Sequence, residues 1–238
     1  MAQHTPPAPD PAAAPQPRDW DLRADVLSTE ALASGDPTAW FDRLYAEGAA
    51  GEVGMPWERD EPQAQFAPWF EAWLARHGGD GRGRRAVVVG CGLGADAEHL
   101  AAHGFETVGF DVAPTAIEQA KARHAGSTVE YRVADLLDLD PGLVGRFDLV
   151  VEIFTLQALP NPPRAQAAAA IASLLAPGGT LVLVAFRDTG LPAPELPPYP
   201  LTESDLLLVE TGGVVLTATA EVADGERWLV TYERPDLG

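Results

Sequence analysis

Between Ala86 and Asp111 the sequence reads AVVVGCGLGADAEHLAAHGFETVGFD, a β-branched run that breaks on glycines 90, 92 and 94 and closes on an acid. Glycine at such a turn leaves the backbone amides bare, so a nucleotide-like ligand can approach them without meeting a side chain. A carboxylate at the end of the following strand, Asp111, can accept hydrogen bonds from both hydroxyls of a ribose. A tight turn explains the glycines alone; it does not explain the acid at the next strand end, and the combination points to ligand binding. The string Gly90-Cys91-Gly92-Leu93-Gly94-Ala95 also satisfies the loose dinucleotide pattern GxGxxG/A, which leaves an NAD-type ligand open at this point.

Such chemistry needs a strand before the glycines, a helix after them and a second strand to deliver the acid. Ala86–Val89 reads as that first strand, Ala95–His103 as a helix stopped by Gly104, and Thr107–Phe110 as a strand ending at Asp111. Pro114–His124 reads as a helix with Pro in its first turn, Val129–Val133 as a third strand and Phe147–Ile153 as a fourth, apolar enough to be covered on both faces. Arg164–Leu175 is an Ala-rich helix expected to stop at Pro177-Gly178-Gly179, and Thr180–Phe186 a fifth strand. Strands alternating with helices of this length predict βαβ units and a parallel sheet. Two further runs, Val214–Glu221 and Arg227–Tyr232, flank Ala223-Asp224-Gly225 and predict a closing antiparallel hairpin.

Ahead of the glycines the pattern is helical and aromatic. Thr38–Tyr45 places Trp40, Phe41, Leu44 and Tyr45 on one face, and Ala64–His77 reads as a second amphipathic helix ending at Gly78-Gly79. The chain from Met1 to about Pro17 is rich in Pro and Ala without periodicity and is expected to be a disordered tail, residues 1–18. The expected organisation is therefore one domain over 19–238, with a helical cap at 19–80 and a ligand-binding core at 84–238.

The VxVGCGxG form resembles motif I of class I S-adenosylmethionine (SAM)-dependent methyltransferases, and the resemblance extends over about Trp40 to Pro235. Within that superfamily the chain is most similar to the small-molecule branch of thiopurine and thiol methyltransferases. The features carrying this are Trp40-Phe41-x-x-x-Tyr45, the Met55-Pro56-Trp57 turn, and Gly94-Ala95-Asp96-x-x-x-Leu100-Ala101-x-x-Gly104. The resemblance implies a Rossmann-like, seven-stranded, mostly parallel sheet with a C-terminal antiparallel hairpin and an N-terminal helical cap. It implies SAM as cofactor, with Gly90, Gly92 and Gly94 near its methionine and ribose, Asp111 on the ribose and Val112 packed on adenine. Asp135 and the Leu136 amide would read the adenine edge, and Glu152 would hold the ammonium group or orient a substrate. Trp40, Tyr45 and Trp57 become candidates for a lid, against the alternative that they only pack the cap.

No residue stands out as a general base. The histidines His77, His99, His103 and His124 fall on or at the ends of predicted helices, away from the strand ends where the ligand belongs, and His4 lies in the tail. Gln157 follows the fourth strand where a polar group is expected, and a Gln cannot take a proton. Tyr199 lies in the Pro-rich loop Leu191–Pro200, placed to line a substrate pocket. Glu152, Gln157 and Tyr199 are thus the catalytic candidates, and the missing base points to an acceptor that ionises readily, a thiol first. An O- or N-acceptor, a SAM- or S-adenosylhomocysteine (SAH)-binding protein without turnover, and an NAD-dependent oxidoreductase are the alternatives.

Composition sets bounds. Over 238 residues, 35 Asp and Glu against 16 Lys and Arg give a net charge of −19. So anionic a chain repels phosphate backbones and anionic membrane surfaces, so a small-molecule partner is expected, with neither nucleic acid nor membrane. Its single cysteine, Cys91, excludes an internal disulfide framework and a multi-thiolate zinc site, and no metal is expected. No run reaches the ~18 apolar residues of a membrane helix, and no secretory signal is evident. A cytoplasmic monomer or homodimer is the expectation.

Overall fold

A computed structural model describes residues 19–55, 57–192 and 194–236. The predicted tail at 1–18 and Pro56 of the Met55-Pro56-Trp57 turn lie outside the described residues. Helices α1 (Asp19–Ser34), α2 (Ala39–Ala49) and α3 (Phe66–Arg76) precede the sheet. The alternating part follows as β1 (Arg85–Val89), α4 (Ala95–Ala102), β2 (Glu106–Asp111), α5 (Pro114–Arg123), β3 (Glu130–Val133) and β4 (Phe147–Ile153). It continues with α6 (Pro163–Ser173), β5 (Leu175–Phe186), α7 (Glu203–Glu210), β6 (Val215–Val222) and β7 (Arg227–Glu233).

The sheet has the order β3-β2-β1-β4-β5-β7-β6. Strands β1 to β5 pair in parallel, and β7 pairs antiparallel to both β5 and β6. This is the seven-stranded, mostly parallel Rossmann-like sheet with a terminal hairpin that the sequence predicts. The hairpin turns through Ala223, Asp224 and Gly225, all left-handed, a conformation costing an Ala roughly 1–2 kcal/mol.

Two apolar layers cover the sheet. On one face Phe66, Phe70 and Trp73 of α3 pack with Leu100 of α4, Ile117 of α5 and the strand residues Val88, Val151 and Val182. On the other, Ala168 and Ile171 of α6 and Leu206 of α7 pack on Val87, Val150, Leu183 and Tyr232.

Two expectations need correction. Helix α3 does not belong to a cap spanning 19–80: it lies on the sheet, and its Trp69 and Trp73 indoles donate to the hydroxyls of Thr231 on β7 and Thr180 on β5. Those bonds satisfy the indole N–H groups where apolar packing buries the rings. Only α1 and α2 build a separate small core, from Ala24, Leu27, Ala31, Trp40 and Leu44. The segment Pro177-Gly178-Gly179 does not separate helix from strand either. Strand β5 already starts at Leu175, which pairs with Phe147, and the ladder slips there before Thr180 meets Leu149. Gly178 and Gly179 bond to Arg234 across that irregularity, which keeps their backbone groups paired.

Candidate functional site

The carboxyl ends of β1, β2 and β3 lie side by side, with Val89 opposite Phe110 and Asp111 opposite Val133. The loop after β1 therefore runs beside the last residue of β2. The Gly92 amide donates to Oδ2 of Asp111 at 3.0 Å and the Ala113 amide to Oδ1 at 3.0 Å. Asp111 is only 7% exposed. Burial raises its pKa, and hydrogen bonds from the Ala113, Gly92 and Val112 amides oppose that rise.

Glycine is required here for two reasons. Gly92 has φ +51°, and a Cβ on it would stand 2.8 Å from the Tyr45 hydroxyl. Gly90 has φ +59°, and its Cβ would meet Thr155 Oγ1 at 2.3 Å. Thr155 in turn donates to the Val89 carbonyl at 3.2 Å, fastening the loop to the end of β4. Gly94 ends the loop as the residue before α4. His124, at the end of α5, hydrogen-bonds the Leu93 carbonyl at 3.0 Å, a loop contact that sequence reading did not assign to it.

Asp135 follows β3 and caps the short 3-10 turn Leu136–Asp138 by accepting from the Leu137 amide at 2.8 Å. As the first residue of that turn, Leu136 has an N–H with no partner inside it. Val112 is half-buried beside Asp111. The glycine loop, Asp111, Val112, Asp135 and Leu136 thus form a row along three neighbouring strand ends.

The aromatic candidates separate. Tyr45 packs with Leu93, Ala113 and Ala116 at the loop, and Trp57 meets its ring edge-on at 5.9 Å. Burial pushes the Tyr45 phenol well above its ordinary pKa, and the Asp111 and Cys91 charges add to the rise. Helix α2 is held there by Asp42, which accepts from the Thr115 amide at 2.8 Å. Asp96, at the start of α4, anchors the next segment through Arg59 at 2.9 Å and the Gln63 amide at 2.8 Å. Trp40 is not at the loop: it stacks on Phe41 inside the core of α1 and α2, where it packs the cap.

The three catalytic candidates are all engaged structurally. Glu152 is fully buried and its Oε1 accepts from the Thr155 and Leu156 amides at 2.7 and 2.8 Å, capping the turn after β4. Burial pushes its pKa up to about 7. Gln157 accepts from the Phe186 amide at 2.6 Å through its side chain and from the Tyr199 amide at 2.7 Å through its carbonyl, tying two loops together. Tyr199 lies over the Arg164 guanidinium, 5.5 Å from the ring centre, and its hydroxyl donates to the Glu195 carbonyl within its own loop.

Sequence reading passed over a different group at this end of the sheet. Phe154 has the left-handed φ of +61°, unusual for a bulky residue. It stacks on Phe186 with ring centres 5.3 Å apart, and the Arg227 guanidinium lies 5.3 and 5.5 Å from the two rings. Arg227 also donates to Gln65 at 2.8 Å. Neither an apolar strand end nor a charge opening a hairpin signals such a cluster; only the fold brings β4, β5 and β7 together.

Comparison with known proteins follows the same lines. A family model described as a methyltransferase domain matches residues 86–179. The 2-heptyl-1-hydroxyquinolin-4(1H)-one methyltransferase of Mycobacteroides abscessus is 30% identical over 171 residues, 70% of this chain and 72% of that protein. A solved structure described under the conversion of a disulfide bond into a thioacetal group during echinomycin biosynthesis superposes with a TM-score of 0.65. It is 26% identical, over 84% of this chain and 93% of that one. The Burkholderia thailandensis 1,6-didemethyltoxoflavin-N1-methyltransferase, solved with its substrate and SAH, shares the fold with a TM-score of 0.61. It is 21% identical, over 97% of this chain and 94% of that one.

Proposed function

The chain belongs to the methyltransferase family, and from that footing we propose that it methylates a small molecule whose acceptor atom ionises readily, sulfur first. SAM is the methyl donor; when bound, it supplies a methyl group activated by a sulfonium centre. The donors and acceptors at the strand ends fit it: Asp111 can accept from a ribose diol, Asp135 from the adenine amino group, and the Leu136 N–H can donate to a ring nitrogen. The turn at Gly90, Gly92 and Gly94 leaves the loop backbone for the methionine and ribose part, and Val112 offers an apolar side for adenine. Tyr45 and Trp57 cover this row and exclude water from it.

The observation that carries the reading is the Asp111 carboxylate held by the Gly92 and Ala113 amides at the end of β2. The acceptor side favours sulfur because Gln157 cannot take a proton and Tyr199 is held by a backbone carbonyl; Glu152, with Oε1 on the turn amides and Oε2 unpartnered among the described residues, is the one of the three that could serve a less acidic acceptor. A thiol ionises near pH 8.5 and needs the least help. The similarity to a structure concerned with disulfide chemistry points the same way.

A second reading rests on the Phe154–Phe186 stack: a planar aromatic acceptor with an acidic hydroxyl would pack there, and Arg227 would favour its anion. The relative acting on a hydroxyquinolinone matches that alternative. Incubation with methyl-labelled SAM against a panel of small thiols and aromatic hydroxyl compounds separates the two. Label in thiol products supports sulfur, label in the aromatic products alone supports the second reading, and SAH binding without label in any product contradicts turnover of either class.

A further inference from the structure

We propose that Glu71, His99 and His103 form a binding site for a divalent transition cation of the zinc, cobalt and nickel class, on the seam between α3 and α4. The site lies at the opposite end of α4 from the glycine loop, roughly 12 Å away at 1.5 Å per residue over the 8 residues of that helix. Composition predicted no metal, because the single cysteine rules out thiolate sites; a site of two imidazoles and a carboxylate needs no cysteine.

His99 in α4 and His103, the residue just after that helix, are four positions apart with ring centres 4.6 Å from each other. Phe70 of α3 meets both imidazoles edge-on, at 5.2 and 5.1 Å, so the two rings pack on one side chain. The His103 Nδ1–H donates to the His99 carbonyl at 2.8 Å. That bond leaves the Nε2 lone pair of neutral His103 free, as in metal sites whose other ring nitrogen is held by a carbonyl. Nε2 lies 3.3 Å from Oε1 of Glu71. His99 Nε2 is buried with no hydrogen-bond partner among the described residues, an arrangement that costs free energy unless something else satisfies the nitrogen.

One ligand atom from each residue lies within 4.8 Å of the other two. Tetrahedral bonds of about 2.0–2.2 Å place ligand atoms about 3.3 Å apart, a spacing the His103–Glu71 pair already has. Rotation of the exposed Glu71 side chain and small turns of the two imidazoles take up the remaining separations, none above 4.8 Å. An ordinary ion pair accounts for His103 and Glu71 but not for the orphaned nitrogen of His99. Two imidazoles and one carboxylate select borderline transition cations over Mg2+ and Ca2+, and three ligands leave a fourth position for water.

Calorimetric titration of the full-length, tag-free chain with ZnCl2, and with MgCl2 as control, tests the site. One zinc per chain is expected, with no magnesium binding, at least tenfold weaker zinc binding in Glu71→Gln and His103→Gln, and unchanged binding in His77→Gln. Glu71 is exposed, so its variant keeps the fold and the test does not depend on a buried substitution. Absence of zinc binding, or equal zinc affinity in the wild type and both ligand variants, overturns the proposal.

Discussion

The Gly92 amide donates to Asp111 across 3.0 Å, and the Ala113 amide donates to the other oxygen of the same carboxylate. One side chain thereby joins the loop after β1 to the loop after β2. The bonds also offset part of the desolvation that would otherwise favour the neutral acid. The carboxylate that would bind a ribose is thus the one that sets the shape of the glycine loop, so binding and loop geometry depend on the same residue.

Gly90→Ala tests the close approach of the loop to β4. The substitution forces an Ala into φ +59° and its Cβ against Thr155 Oγ1. The left-handed conformation alone costs about 1–2 kcal/mol, and overpacking adds about 1–3 kcal/mol. Thr155→Ala removes the clashing atoms, so the double variant is expected to lose less stability than the two single losses added together. Urea unfolding of all four proteins measures the coupling; strict additivity would contradict the contact.

Glu152 carries a pH signature. Its folded pKa is about 7 against an ordinary 4.5, so between those values the folded state binds more protons than the unfolded one. Stability therefore falls as pH rises through that window, by an amount on the order of 3 kcal/mol, and is unaffected by this group below it. Glu152→Gln keeps an acceptor for the Thr155 and Leu156 amides but cannot titrate. The difference in urea midpoint between wild type and variant is expected to shift in the variant's favour from pH 4.5 to 7.5; a constant difference would contradict the buried, turn-capping role.

Tyr45 packs on Leu93, Ala113 and Ala116, beside the loops after β1 and β2. Its hydroxyl fills the space beside Gly92, and Trp57 braces the ring. Stopped-flow measurement is expected to show SAH leaving Tyr45→Ala at least tenfold faster than the wild type, with Tyr45→Phe close to the wild type. An unchanged release rate in Tyr45→Ala would make Tyr45 a packing residue like Trp40.

Much of the fold is legible in the sequence because strands buried on both faces, such as Phe147–Ile153, announce themselves as continuous apolar runs between turn residues. The glycines and Asp111 are legible for a similar reason, since their spacing is fixed by local backbone geometry. Side-chain commitments are not. Glu152 and Gln157 read as free polar groups, and only the folded chain shows Oε1 of Glu152 held by the amides of the turn after β4 and Oε1 of Gln157 held by the Phe186 amide at the end of β5. Helix α3 reads as cap because its apolar face gives no hint of what it covers; the sheet and the Thr180 and Thr231 hydroxyls supply the answer. The Phe154–Phe186–Arg227 cluster joins residues up to 73 positions apart, beyond the reach of any local pattern.

Isothermal titration of the full chain with SAH, beside NADH and the Asp111→Ala variant, tests the central claim most directly. Micromolar binding of one SAH per chain, no NADH binding, and at least a hundredfold loss in Asp111→Ala are the predicted results. SAH binding of undiminished affinity in the variant, or none in the wild type, would contradict the assignment of the cofactor to the glycine loop and the end of β2.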